Sequence, residues 1–145
     1  MGKMQRSKGQ VGEREVAAMF KKDLGIDAKR NLQQTQNGGY DLAGIPFFAV
    51  EVKRHEKLSI GTWWKQALKQ GQAMERMPLL LYRRNREQWW CVMDIKTVSG
   101  ILQPNEMMLE PSRLFGNTLV KFTWLTFLKV YRHYVSATAV CEDEQ

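Results

Sequence analysis

The alternation of apolar and polar positions is sharpest between Asp41 and Lys53, where two short runs flank Gly44-Ile45-Pro46. A break of that composition between apolar runs predicts a β-hairpin. In the second run Phe48, Val50 and Val52 face one side, and Phe47, Ala49, Glu51 and Lys53 the other. With the hairpin symmetric about Ile45, Ala43 pairs with Phe47 and Asp41 with Ala49. Asp41 then shares a face with Glu51 and lies diagonal to it.

The periodicity elsewhere places helices around this hairpin. Residues 1–9 read as a flexible basic arm. A helix follows from Gln10 to Asp23, ended by Gly25, with Val16, Ala17, Met19, Phe20 and Leu24 as its apolar arc. Glu13 falls inside that arc, where a carboxylate needs compensation from the helix N-terminus or from a cation. Ile26 to Gln33 predicts a strand, leading into the polar loop Gln34-Thr35-Gln36-Asn37-Gly38-Gly39. Ser59 is placed to cap a second helix reaching about Arg76, with Ile60, Trp64, Ala67, Leu68, Gly71 and Met74 inward. Trp63, Gln66 and Gln70 lie along its flank, with Trp63 at the edge of the core. Pro78 to Arg83 and Gln88 to Asp94 predict two strands joined by a basic turn, with Trp89 and Trp90 on opposite faces. Beyond Ile95 the pattern gives a short helix to Leu102, a strand over Thr118 to Phe122 and a helix over Thr123 to Tyr134. The chain after Ser136 reads as frayed. Helices alternating with short strands predict an α/β fold: a mixed central sheet flanked by helices.

Length and composition narrow the function. A chain of 145 residues holds one domain with a proper core, and its 43% hydrophobic and 26% charged content is ordinary for a globular protein. No apolar run is long enough to span a bilayer, and the start lacks a signal-peptide pattern, so the expectation is a protein of the cytoplasm with no membrane partner. Cys91 and Cys141 have no metal-site spacing, and His55 and His133 are too few for a histidine-based metal centre. The net charge of +7 favours a polyanionic partner, nucleic acid foremost. Basic and amide side chains placed to meet a phosphate backbone are Lys3, Arg6, Lys8, Arg14, Arg30, Gln36, Asn37, Arg54, Lys57, Gln66 and Lys69.

Two acids and a lysine on an apolar hairpin have two readings. One is an edge strand with a solvated Glu51 and Lys53. The other is a hard divalent ion held by Asp41, Glu51 and the carbonyl of Val52, with Glu13 as a further carboxylate. In that reading Lys53 handles the attacking water or the charge on phosphate.

The succession Lys8-Gly9-x-x-x-Glu13-Arg14-Glu15, then Gly38-Gly39-Tyr40-Asp41-Leu42, then Glu51-Val52-Lys53 resembles the PD-(D/E)XK nuclease superfamily. Within it the chain is similar to the archaeal-type Holliday-junction resolvases, over roughly its first 95 residues. Tyr40 stands where the motif usually has proline. The resemblance implies a restriction-endonuclease-like fold, with residues 10–95 as the nuclease core, 96–136 as an extension packed on that core or at a dimer interface, and 137–145 as an acidic tail. It implies that Glu13, Asp41, Glu51 and Lys53 are catalytic with Mg²⁺, for which Mn²⁺ substitutes. It also implies a hydroxyl in the loop before the aspartate, for which Thr35 fits best. The expected function is a structure-selective DNA endonuclease, most of all a Holliday-junction resolvase, acting as a homodimer because symmetric cutting needs two sites. The alternatives are a nuclease of the same fold acting on flap, nicked or duplex DNA, a non-catalytic DNA-binding protein, and a protein acting on RNA.

Overall fold

The computed structural model describes residues 2–31, 41–101, 113–115 and 119–143. The chain divides into two compact units, Met1–Trp90 and Cys91–Gln145.

The first unit opens with α1 (Gly2–Leu24). Of the loose arm expected over residues 1–9, residues 2–9 are instead the first turns of this helix. Gly2 and Gly9 cost helix stability, but Lys3, Met4, Arg6, Ser7, Lys8 and Gln10 between and beside them are tolerated in a helix, and none of these residues is proline. Val16 and Phe20 are fully buried, as the periodicity requires. Gly25 ends the helix with φ +67°, its N–H donating to Lys21 O at 3.1 Å.

Four strands follow in the spatial order β1 (Lys29–Arg30), β2 (Leu42–Ala43), β3 (Phe48–Arg54), β4 (Met77–Arg83). The first three pair antiparallel, and β3 pairs parallel with β4 along its whole length, so the sheet is mixed. A parallel pair needs a crossover, supplied by α2 (Ile60–Met74).

The hairpin register differs from the symmetric expectation: Leu42, not Ala43 or Asp41, is registered, and its partner is Val50. The Asp41 N–H also donates to Val50 O, at 2.9 Å, so two successive residues address one, as at a β-bulge. The cause is the turn, which carries left-handed backbone at both Gly44 (φ +90°) and Phe47 (φ +70°). Gly44 is required there, since a Cβ would also sit 3.0 Å from Asp27 O. Phe47 is held in this unfavourable conformation by its neighbours. Its carbonyl accepts from Met77 N at 2.9 Å, and Arg76 Nη1 donates to Ile45 O at 2.7 Å.

The two faces of β3 meet different helices. A Cβ on Gly12 of α1 would lie 3.2 Å from Arg54 Cβ and 3.6 Å from Val52 Cγ1, so α1 covers the Val52–Arg54 face. Tyr82 is registered with Lys53 and Pro78 with Ala49, and these pairs share the other face. There Trp63 of α2 lies 6.1 Å from the Tyr82 ring, and Gly71 of α2 abuts Pro78. The α2 face departs from expectation in detail. Ser59 makes no side-chain cap bond, Trp63 is buried rather than at the edge, and Leu68 and Met74 are exposed. The helix is rotated toward Trp63 because that ring fills the space between His55 and Tyr82.

The second unit orders its strands β5 (Trp90–Asp94), β7 (Leu119–Thr123), β6 (Arg113–Phe115), with β6 and β7 antiparallel. Its helices are α3 (Ile95–Ile101) and α4 (Trp124–Asp143). The last helix runs through the stretch expected to fray after Ser136. Phe127, Leu128 and Val130 bury its inner face, while Leu125 is 67% exposed. No helix among the described residues is long and apolar enough to cross a membrane.

Candidate active site

Asp41, Glu51 and Lys53 come together, as the strand pattern predicts. Asp41 Oδ2 accepts the Val52 N–H at 2.7 Å. Asp41 carbonyl in turn accepts from Asn31 N at 2.8 Å. The backbone is thus held by Asn31 and the side chain by β3, and Asp41 is 6% exposed. Glu51, 4% exposed, receives Lys53 Nζ on Oε1 at 3.1 Å. A solvated edge strand, the alternative reading of these residues, does not fit this burial. Gln70 reaches Glu51 from α2 and favours its charged form by hydrogen bonding.

Both carboxyls are raised above their ordinary range, chiefly by burial. Asp41 is pushed up to about 7, first by burial, then by the charge of Glu51, against the pull of the Val52 N–H. Glu51 is also raised, first by burial, with Lys53 and Gln70 opposing. Glu51 Oε2 is buried with no hydrogen-bond partner. A divalent cation with oxygen preference would satisfy that orphan acceptor and neutralise both carboxylates, so the residues fit such an ion.

Glu13 lies on the arc of the first helix where the sequence places it. It sits on α1, over the Val52–Arg54 face, and pairs with Arg30 of β1. Its charge still raises Asp41 and Glu51. Among the described residues, however, no three His, Cys, Asp or Glu side chains gather as metal ligands. Strand alternation gives the reason: Glu51 points to the α2 face, away from α1.

The basic candidates divide into free and engaged groups. Lys3, Arg6, Arg14, Lys57, Gln66 and Lys69 are exposed and Lys8 is half-buried. An open groove beside Glu13 is lined by Arg6, Gly9, Gln10 and Arg30. A second is lined by Gln66, Lys69, Gln70 and Ala73 of α2. The charges of Lys8 and Lys53 both reach His55 and, after burial, hold its pKa down. Arg54 is occupied, with Nη1 3.7 Å from Glu15 Oε1 and Nη2 donating to Asn85 Oδ1 at 3.3 Å. Thr35, Gln36 and Asn37 lie outside the described residues.

Sequence reasoning missed Glu15 as an organiser. It accepts from Arg83 Nε at 3.0 Å, Arg83 Nη2 at 2.9 Å and Trp89 Nε1 at 3.2 Å, tying α1 to β4 and the turn after it. Its place well off the apolar arc was the available signal, since an acid there faces basic strand ends. Gln70 was recognised only as part of a flank stripe.

No curated protein matches the chain. A solved structure similar to it, at 1.6 Å resolution, is that of Archaeoglobus fulgidus Hjc, "a Holliday junction resolvase from an archaeal hyperthermophile". The two are 15% identical, with 82% of this chain and 86% of that chain covered and a TM-score of 0.46. A likeness of that size carries no weight for the site. The family described as "Phage putative PDDEXK endonuclease" matches residues 4–134, and the chain belongs to this endonuclease family.

Proposed function

We propose that this protein is a Mg²⁺-dependent endonuclease that hydrolyses phosphodiester bonds in branched DNA, four-way junctions above all, with Mn²⁺ able to substitute. The observation that carries this reading is the buried pair Asp41 and Glu51, fixed by Val52 N–H and Lys53 and left with an unmet acceptor at Glu51 Oε2. A cation held by these two carboxylates and the Val52 carbonyl would supply Lewis acidity and a water nucleophile at neutral pH. Lys53 sits beside Glu51 and offers its ammonium group to the phosphate, where negative charge develops. Asp41, its carboxylate held by the Val52 N–H, is in place without reorganisation. The exposed Lys3, Arg6, Arg14, Lys57 and Lys69 hold the phosphate backbone, so binding weakens steeply with salt and carries little base sequence preference. In this reading Thr35 supplies a hydroxyl and Gln36 and Asn37 supply phosphate donors, and Glu13 acts as an electrostatic neighbour of the carboxylates. Residues 10–95 form the nuclease core. The 96–136 segment is the extension through which two copies associate, with exposed Leu125 on α4 a candidate contact.

The test is cleavage of labelled four-way junction, flap, nicked and linear duplex DNA, with single-stranded RNA alongside, in Mg²⁺. Paired symmetric nicks in the junction by a dimer are the expected result. Cleavage of flap or duplex alone would keep the site and change the substrate. Junction binding with no cleavage under any divalent ion would leave a DNA-binding protein.

A further inference from the structure

Gln70 carries an unexplained feature. Its Oε1 is buried and has no hydrogen-bond partner. The orientation of the amide is dictated by its neighbour: a carboxylate only accepts, so Gln70 must turn Nε2 toward Glu51. That leaves two buried acceptors unmet at adjacent side chains, Gln70 Oε1 and Glu51 Oε2. An unmet buried acceptor costs about 1–3 kcal/mol, and two neighbouring ones call for a shared donor or a cation.

The fold places Gln70 where Glu13 is not. It projects from α2, on the face of the sheet that Glu51 and Lys53 share, and it lines the groove with Gln66, Lys69 and Ala73. Gly71 beside it has no room for a side chain: a Cβ would meet Arg76 O at 2.8 Å and Pro78 Cγ at 2.9 Å. The close approach of α2 to the strands at Gly71 is what brings Gln70 within reach of Glu51.

We infer that Gln70 is part of the cation site: its Nε2 positions Glu51 and its Oε1 is offered to the divalent ion as a third side-chain oxygen. Amide oxygens are suitable ligands for hard cations, and this one adds no charge to an already over-acidic site. Glu13 pairs with Arg30 and adds its charge to the same site. The inference rests on the metal-dependent reading above.

The experiment compares wild type with Gln70→Met and Gln70→Glu. It measures Mn²⁺ affinity by calorimetry and thermal stability in chelator. Gln70→Met keeps length and loses both polar atoms. Its Mn²⁺ affinity should fall about tenfold or more, the range found when supporting groups of a metal site are removed. Its melting temperature in chelator should change little, because the Nε2 bond to Glu51 and the unmet Oε1 acceptor are lost together and their effects oppose. Gln70→Glu keeps an oxygen and should bind Mn²⁺ at least as tightly as wild type, and it serves as the rescue if Gln70→Met folds poorly. A purely structural role would move stability in chelator and leave affinity alone. Wild-type Mn²⁺ affinity in Gln70→Met, or weakened affinity in Gln70→Glu, overturns the inference while the endonuclease reading stands. No Mn²⁺ binding by wild type overturns both.

Discussion

Replacing Asp41 by Asn should stabilise the metal-free protein, and increasingly so as pH rises. The asparagine side chain keeps an oxygen for the Val52 N–H, which Asp41 Oδ2 now accepts at 2.7 Å, and removes the buried charge. Moving a carboxyl from 3.8 to about 7 corresponds to about 4 kcal/mol, at about 1.36 kcal/mol per pH unit. The sign follows from proton linkage. Between these two values the folded chain holds a proton that the unfolded chain has released, so wild-type stability falls as pH rises through the window. Below about pH 3 the carboxyl is neutral in both states and the charge contributes nothing. By pH 5 the cost has reached about 1–2 kcal/mol, and by pH 8 the full value of about 4 kcal/mol. The gain from Asp41→Asn should therefore grow by about 2–3 kcal/mol between pH 5 and 8, which is of order 5–12 °C in melting temperature for a chain this long. Urea denaturation in chelator, run across that range for both proteins, measures it. A destabilised Asp41→Asn at pH 8, or a gain independent of pH, would refute the claim that Asp41 is a strained, uncompensated charge.

Other consequences are simpler to read. Gly71→Ala puts a methyl 2.8 Å from the Arg76 carbonyl and 2.9 Å from Pro78 Cγ, and it should cost about 1–3 kcal/mol by chemical denaturation. The Cys91 thiol is fully buried and its pKa is pushed up by that burial, so maleimide should label it, by peptide mass, only after unfolding. Glu15→Ala should lower stability by about 1 kcal/mol, the scale for a half-exposed ion pair with further hydrogen bonds, as Arg83 and Trp89 Nε1 lose their shared acceptor; thermal unfolding checks it.

The site was legible because strand periodicity is unforgiving: once Phe48–Arg54 is a strand, Glu51 and Lys53 must share a face. The face of Asp41 depended on a turn whose strained Phe47 has no sequence signature, since aromatic residues rarely take φ of +70°. The true register, Leu42 with Val50, brought Asp41 to the Val52 amide by a bulge that alternation alone does not encode. Glu13 was placed correctly on the buried arc of α1, but a helical wheel does not say which side of the sheet that arc covers. Gln70 was hidden for the same reason: only the packing of α2 at Gly71 decides how close its flank comes to Glu51. The helix in place of a basic arm shows composition outvoted by continuity, as residues 2–9 extend a helix already nucleated by the burial of Val16 and Phe20.

The central claim is that Asp41 and Glu51 form one cation-dependent hydrolytic site. The most direct test is cleavage of a labelled four-way junction by wild type and by Asp41→Ala, each in Mg²⁺ and in chelator. The account predicts metal-dependent paired nicks by wild type and none from Asp41→Ala, with junction binding retained. Cleavage that persists in Asp41→Ala, or in chelator, would contradict it.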